Sequence, residues 1–252
     1  MKMNERAVSE AIGFIIILGI VMSGIGLVTL YGYPVLVKEQ SNTDVRNMER
    51  AMIVIQNDMK SLCFKNVPYK ETTLQVSGGT LEVINATSYG GFINVTNGTT
   101  LFQNNYSVGA LVYRSDRGTE VITLENGAVI RRQEDAAGSA MLAEPRWFYD
   151  NSTGTFVIYL MNITTDERMA KSGVATVRMS LEDVVTNVSS PPDKEITVIY
   201  GGDTNNDNSV AWGNYLTGGL GMERSADSAD VYTHPGVTRL VIKEYRIRIH
   251  GI

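Results

Sequence analysis

The chain has 252 residues, 43% of them hydrophobic and 19% charged, with a net charge of -5. That length suits one globular domain with an appendage, or two small domains, and the lack of any long basic run argues against nucleic acid as a partner. One cysteine, Cys63, and two histidines far apart in sequence, His234 and His250, exclude an intrachain disulfide, a cysteine-based zinc site and paired-histidine chemistry.

The first predicted element is apolar. From Ala11 to Val37, 27 residues carry no ionised side chain. As a helix they span about 40 Å, against about 30 Å for the hydrocarbon core of a bilayer. An ordinary secretory h-region has only about 7–15 residues, and no A-x-A-like cleavage site follows this one. A membrane-spanning helix is therefore expected, with a buried core helix as the alternative. Lys2, Arg6 and the amino terminus outweigh Glu5, which puts the short N-terminal side in the cytoplasm and everything after Val37 outside. Gly19 and Ser23 form a small-xxx-small pair that permits close helix approach in lipid, although glycine is common in membrane helices for general reasons. Pro34 lacks an N–H and is expected to kink the helix near its outer end.

The stretch "RAVSEAIGFIIILGIVM" resembles the N-terminus of archaeal type IV pilin-like proteins, with their class III signal. In that family a short charged leader ends in a small residue, and a polar residue or two precede the apolar helix. The resemblance implies that prepilin peptidase cuts after Arg6-Ala7, leaving Val8 as the new N-terminus and the helix in the mature protein. Glu10 stands where many archaeal members carry proline, and bacterial pilins have their glutamate two positions later, so no assembly role transfers to it. The likeness covers about the first 35 residues.

The next segment, residues 38–65, continues the stalk as an amphipathic helix. Val45, Met48, Met52, Ile55, Met59 and Leu62 alternate spacings of three and four, an apolar seam along one face. The seam is shorter than three heptads, too short for a free-standing coiled coil. It can pack on the chain's own globular domain or on neighbouring subunits.

From about Tyr69 the period changes to two. "TTLQVSGGTLEVIN" reads as strand, Gly78-Gly79 turn, strand. Asn97-Gly98 and Asn126-Gly127 between strand-like runs favour tight hairpins, because both residues tolerate positive φ. "RWFYDNSTGTFVIYLMNIT" is a further pair of strands around a polar loop. A short helix is expected around Ser209–Leu216. The last run, "TRLVIKEYRIRIHGI", places Tyr245, Ile247 and Ile249 on one face and Arg246, Arg248 and His250 on the other. About nine to eleven strands are expected, in an antiparallel sandwich or a large curled sheet. "NVSSPPDKE" marks a loop, with a subdivision of the β-rich domain (66–252) near 189–194. The fold class is thus α+β: a long N-terminal helix, transmembrane and then amphipathic, packed on a mainly antiparallel β-sheet or β-sandwich. The order of strands and the late short helix also loosely resemble an archaeal family of uncharacterised pilin-like surface proteins.

Asn-x-Ser/Thr acceptors occur at Asn85, Asn94, Asn97, Asn105, Asn151, Asn162 and Asn187. Chance would place about three, so glycosylation on the outer side is expected, against the alternative of a Thr/Asn-rich β-protein that inflates such counts. "GGDTNNDNSVAWGN" gives Asp203, Asn205 and Asp207 the 1, 3, 5 spacing of a Ca²⁺ loop, with Val210 at the usual apolar position. Asn208 replaces the turn glycine and Asn214 the bidentate acid. An Asx-rich loop capping the helix at Ser209 is therefore favoured over a calcium site. No G-x-S-x-G, P-loop or HExxH occurs. Carboxylates are plentiful enough for a glycosidase-like acid pair, but no motif singles one out, and an enzyme is not expected.

The expected function is structural. The pilin resemblance implies a type IV pilin-like surface subunit, and the chain's length points to a minor or specialised one. The expected partners are the membrane, prepilin peptidase, and copies of itself or other pilin-like subunits. The alternative is a permanently anchored ectodomain that does not assemble and binds a ligand or envelope component.

Overall fold

In the computed structural model the described residues are 5–65, 67–97, 101–134, 136, 138–191, 193–228 and 230–252; the side chains of 5–11 and 101–104 are outside that set. The chain forms two compact units, Met1–Thr43 and Asp44–Ile252.

The first unit is helical. α1 (Glu5–Leu27) runs into a π-helical turn (Val28–Gly32) and then into α2 (Tyr33–Lys65). Pro34 cannot donate to the carbonyl four residues back, and its ring crowds that carbonyl. The helix answers with one wide turn just ahead of the proline, in which the Tyr33 N–H reaches the Val28 carbonyl. Every large apolar side chain from Ile12 to Leu36 is exposed, none below 48%. The helical run Ile12–Lys65 contains an 18-residue window of mean hydropathy 2.5, long and apolar enough to cross a membrane.

The second unit has three layers. In chain order its strands are β1 (Tyr69–Ile84), β2 (Phe92–Thr96), β3 (Leu101–Ser107), β4 (Ala110–Ser115), β5 (Glu120–Glu125), β6 (Ala128–Gln133) and β7 (Ser139–Ala143). β8 (Phe148–Asp150), β9 (Thr155–Thr164), β10 (Met169–Ser189) and β11 (Glu195–Gly201) follow; after α3 (Ser209–Asn214) come β12 (Glu223–Arg224), β13 (Val231–Pro235) and β14 (Arg239–Gly251). Nine of them form one sheet in the order β7-β6-β5-β4-β1-β10-β14-β9-β8, and five form a second, β12-β13-β11-β2-β3. Pairing is antiparallel except between β14 and β9. The residues of α2 from Asp44 onward cover one face of the large sheet; the small sheet and α3 cover the other. The α+β expectation holds. The fourteen strands among the described residues exceed the expected number, in part because β8 and β12 are three and two residues long and carry no periodicity to detect.

The apolar seam of α2 packs on its own domain. Met48, Met52, Ile55 and Leu62 are wholly buried, and Val45 and Met59 nearly so, against Leu81, Val83, Leu111, Ile122 and Val129 of the sheet. Because β4 and β5 are covered on both faces, their burial is almost continuous rather than alternating. β14 alternates as expected, with Tyr245, Ile247 and Ile249 inward.

Gly78-Gly79 is not a hairpin turn. β1 passes straight through it, paired with β10 on both sides of a register slip between Val76 and Leu81. Gly78 has φ +60°, and a Cβ on Gly79 would lie 2.3 Å from the Arg114 carbonyl oxygen. The two glycines bend one long strand so that β4 can pair with its second half. Asn126-Gly127 does turn a hairpin, with φ of 45° and 73° as a type I′ turn requires. The strands on either side of Asn97-Gly98, β2 and β3, are paired; residues 98–100 lie outside the described residues. The loop at 189–194 carries the chain from the large sheet to the small one within a single compact unit; its Pro192 is outside the described residues.

Candidate functional site

Three sets of residues are placed by this fold. The first is the apolar surface of α1. Gly19 and Ser23 lie on it, and a Cβ at Gly19 would meet nothing within 4 Å. The Ser23 hydroxyl donates to the Gly19 carbonyl at 2.7 Å, so its polarity is satisfied within the helix and does not penalise an apolar setting. Arg6, Ala7 and Val8 lie in the first turns of α1, with side chains outside the described set.

The second set is the acceptor asparagines, which differ in what their amide nitrogens do. Asn105 and Asn151 are exposed, and so is Asn187, whose nitrogen donates to Glu244 at 2.9 Å. The Asn85 nitrogen is turned inward to the Thr165 carbonyl at 2.5 Å, and that of Asn162 to the Ser107 carbonyl at 2.8 Å. Asn94 donates across the β2–β3 pair to Asn105 at 3.2 Å. Asn97 is buried.

The third set surrounds an open cleft of about 1060 Å³ in the second unit. One side is the end of β1 with the loop after it, the other is the β9–β10 loop, and residues 203–206 close one end. A smaller cleft of about 360 Å³ shares Asn85, Thr87, Thr165 and Asp166 with it and reaches Arg246 and Arg248 on β14. Arg114 on β4 and Arg132 on β6 stand on either side of Val121 of β5 and converge on Asn206. Arg114 pairs with Glu134 at 2.9 Å and donates to Asn206 Oδ1 at 2.8 Å. Arg132 donates to the same oxygen at 3.4 Å and to the Asn205 carbonyl, while its buried Nε has no acceptor. Burial, and next the charge of Arg114, lower the pKa of Arg132. Across the cleft Arg168 pairs with Glu82 at 2.6 Å, and Arg248 with Asp166 and Glu182.

Asp203 and Asn205 form part of this wall, and Asp207 follows just beyond it. Asp203 accepts from the Asn205 N–H at 2.9 Å, the Asn206 side chain at 3.1 Å and the Gly90 N–H at 2.9 Å. Asp207 accepts from the Ser209 N–H at 2.9 Å. The loop is thus held by carboxylates that receive backbone donors, the Asx-rich arrangement favoured above. The N-cap residue itself, Asn208, makes no side-chain capping bond; Asp207 supplies it instead. No group of three or more His, Cys, Asp or Glu side chains converges as for a metal among the described residues.

Behind the cleft lies Glu125, fully buried. It accepts from Tyr200 Oη at 2.8 Å, from Trp212 Nε1 at 2.7 Å and from the Tyr89 hydroxyl. Burial raises its pKa; the donated hydrogen bonds oppose the shift without cancelling it. The same burial keeps Tyr89 and Tyr200 protonated, and hence donors. Tyr89 precedes Gly90, which is bonded to Asp203, so Glu125 anchors the loop after β1 and, through it, the 203–206 end of the cleft. Neither Glu125 nor the arginine pair has a sequence signal. A glutamate before Asn-Gly reads as an exposed turn residue, and only the stacking of two sheets buries it.

A family model described as a family of unknown function (DUF7289) matches residues 6–250. No curated protein matches the chain, and no solved structure does.

Proposed function

From a chain that belongs to DUF7289 over nearly its whole length, we propose a structural, adhesive cell-surface protein: a type IV pilin-like subunit of minor or specialised kind. The observation that carries this reading is the apolar segment from Ile12 to Leu36, whose large side chains are all exposed among the described residues. At about 25 cal/mol per Å², burying that surface dominates any association the helix enters. Before assembly the surface lies in lipid; afterwards it lies against the helices of other subunits. The short N-terminal side stays in the cytoplasm as a leader removed by prepilin peptidase, and the β-rich unit faces outward. Six seam residues of α2 are already buried against the sheet, so contacts between subunits fall to the apolar segment itself.

N-terminal sequencing of the native protein tests this. The expected first residue is Val8. A chain that retains Met1 or Lys2 overturns pilin-type processing and leaves a permanently anchored ectodomain.

A further inference from the structure

We propose that the open cleft between the end of β1, the β9–β10 loop and residues 203–206 binds an acidic saccharide, with one sugar carboxylate held by Arg132 and Arg114.

The lining decides the class of ligand. Binding cavities of about 300–1,000 Å³ are usually mostly apolar. This one, of about 1060 Å³, is built from hydroxyls, amides, carboxylates and guanidiniums; among the described residues that line it only Val83 and Ile84 are apolar and none is aromatic. An apolar ligand would gain nothing there, whereas a hydroxyl-rich one meets a donor or acceptor at every wall. Thr87, Thr204, Asn205 and Glu167 are exposed along it and able to exchange water for sugar hydroxyls.

The arginine end decides the charge. Arg114 and Arg132 share Asn206 Oδ1. Arg114 has Glu134, but Arg132 has no ion pair among the described residues. A half-buried guanidinium beside a second one, with no ion pair of its own among the described residues, is stabilised by an added carboxylate. The rest of the cleft carries Glu82, Asp166, Glu167 and Asp203 against one further arginine, Arg168, which pairs with Glu82. That acidic remainder repels a densely charged polyanion. It favours a ligand with a single acid on an otherwise neutral, hydroxylated body, such as one uronic acid flanked by neutral sugars. The proposal holds whether α1 anchors a lone chain or packs in a filament.

Calorimetric titration of the full chain in detergent tests it, with a trisaccharide whose central residue is glucuronic acid. The control carries glucose in that place. The acidic trisaccharide is expected to bind, more weakly as salt rises, and at least about tenfold more tightly than the control. Arg132→Gln is expected to weaken it by about tenfold or more, with thermal melting used to show that the variant folds. If that variant does not fold, amide exchange on the unaltered chain gives the answer: protection by the trisaccharide at residues 85–88 and 203–206 supports the cleft, and protection elsewhere overturns it. Absence of binding, equal binding of the neutral control, or acetate binding as tightly as the trisaccharide also overturns the proposal.

Discussion

Trp212 Nε1 donates to Glu125 Oε1 at 2.7 Å in the middle of the core between the two sheets, tying α3 to β5. With Tyr89 and Tyr200 on the same carboxyl, four separate elements meet at one buried acid.

Glu125 makes stability fall with rising pH. Its native carboxyl keeps a proton to higher pH than the unfolded one, whose ordinary value is 4.5. This contribution is complete below the unfolded value and is lost as pH rises through the raised native one. Urea unfolding of the full chain in detergent should show that slope, and Glu125→Gln should flatten it. Glu125→Ala strands three buried donors and should cost about 3 kcal/mol or more at any pH. An unchanged slope in the Gln variant would remove the assignment.

The seam of α2 should be sensitive where it is buried and indifferent where it is not. Met52→Ala and Ile55→Ala are each expected to cost about 2–5 kcal/mol in chemical denaturation. Val54→Ala, on the outer side at 50% exposure, should stay within about 0.5 kcal/mol. Equal effects at the three positions would mean that the helix is not docked as described.

The β5–β6 turn is clasped from both sides. Asn126 Oδ1 accepts from the Met161 N–H at 2.7 Å, and the Gly127 carbonyl accepts from Gln56 at 2.6 Å. Asn126→Ala should cost about 1–3 kcal/mol through the stranded Met161 donor. Gly127→Ala should cost about 1 kcal/mol or more, because φ is +73° and a Cβ would lie 3.0 Å from the Met161 sulfur. Thermal melts of the two variants check both figures. Asn126→Gly keeps the turn but not the acceptor; if it melts with the parent, the clasp is worth nothing.

Glycan occupancy should follow the exposure of the amide nitrogens. Peptide mass spectrometry of native protein is expected to find Asn151 modified, with Asn162 and Asn97 bare. Asn162 already gives its nitrogen to Ser107, and Asn97 is buried. A glycan on Asn162 together with a bare Asn151 would show that modification precedes or ignores this fold.

Much of the fold was legible where one physical rule acts alone. The seam from Val45 to Leu62 was readable because a helix repeats its buried face every three or four residues, and the inward row of β14 because a strand alternates. Gly78-Gly79 misled because glycines that bend a strand and glycines that turn a hairpin look the same in one dimension. Asp203 and Asp207 showed ligand-like spacing, yet that spacing also suits carboxylates that brace a loop.

The sequence by itself determined the apolar N-terminal helix, the seam that docks α2, and the β-rich character of the rest. Those follow from local periodicity and from the length of an uncharged run, which need no knowledge of neighbours. Only the tertiary structure decided that β9 lies parallel to β14, that Glu125 is buried under four elements, and that Arg114 and Arg132 meet at Asn206 beside an open cleft. Each of these joins residues dozens of positions apart, and pairing across such distances is set by how the layers stack rather than by any pattern along the chain.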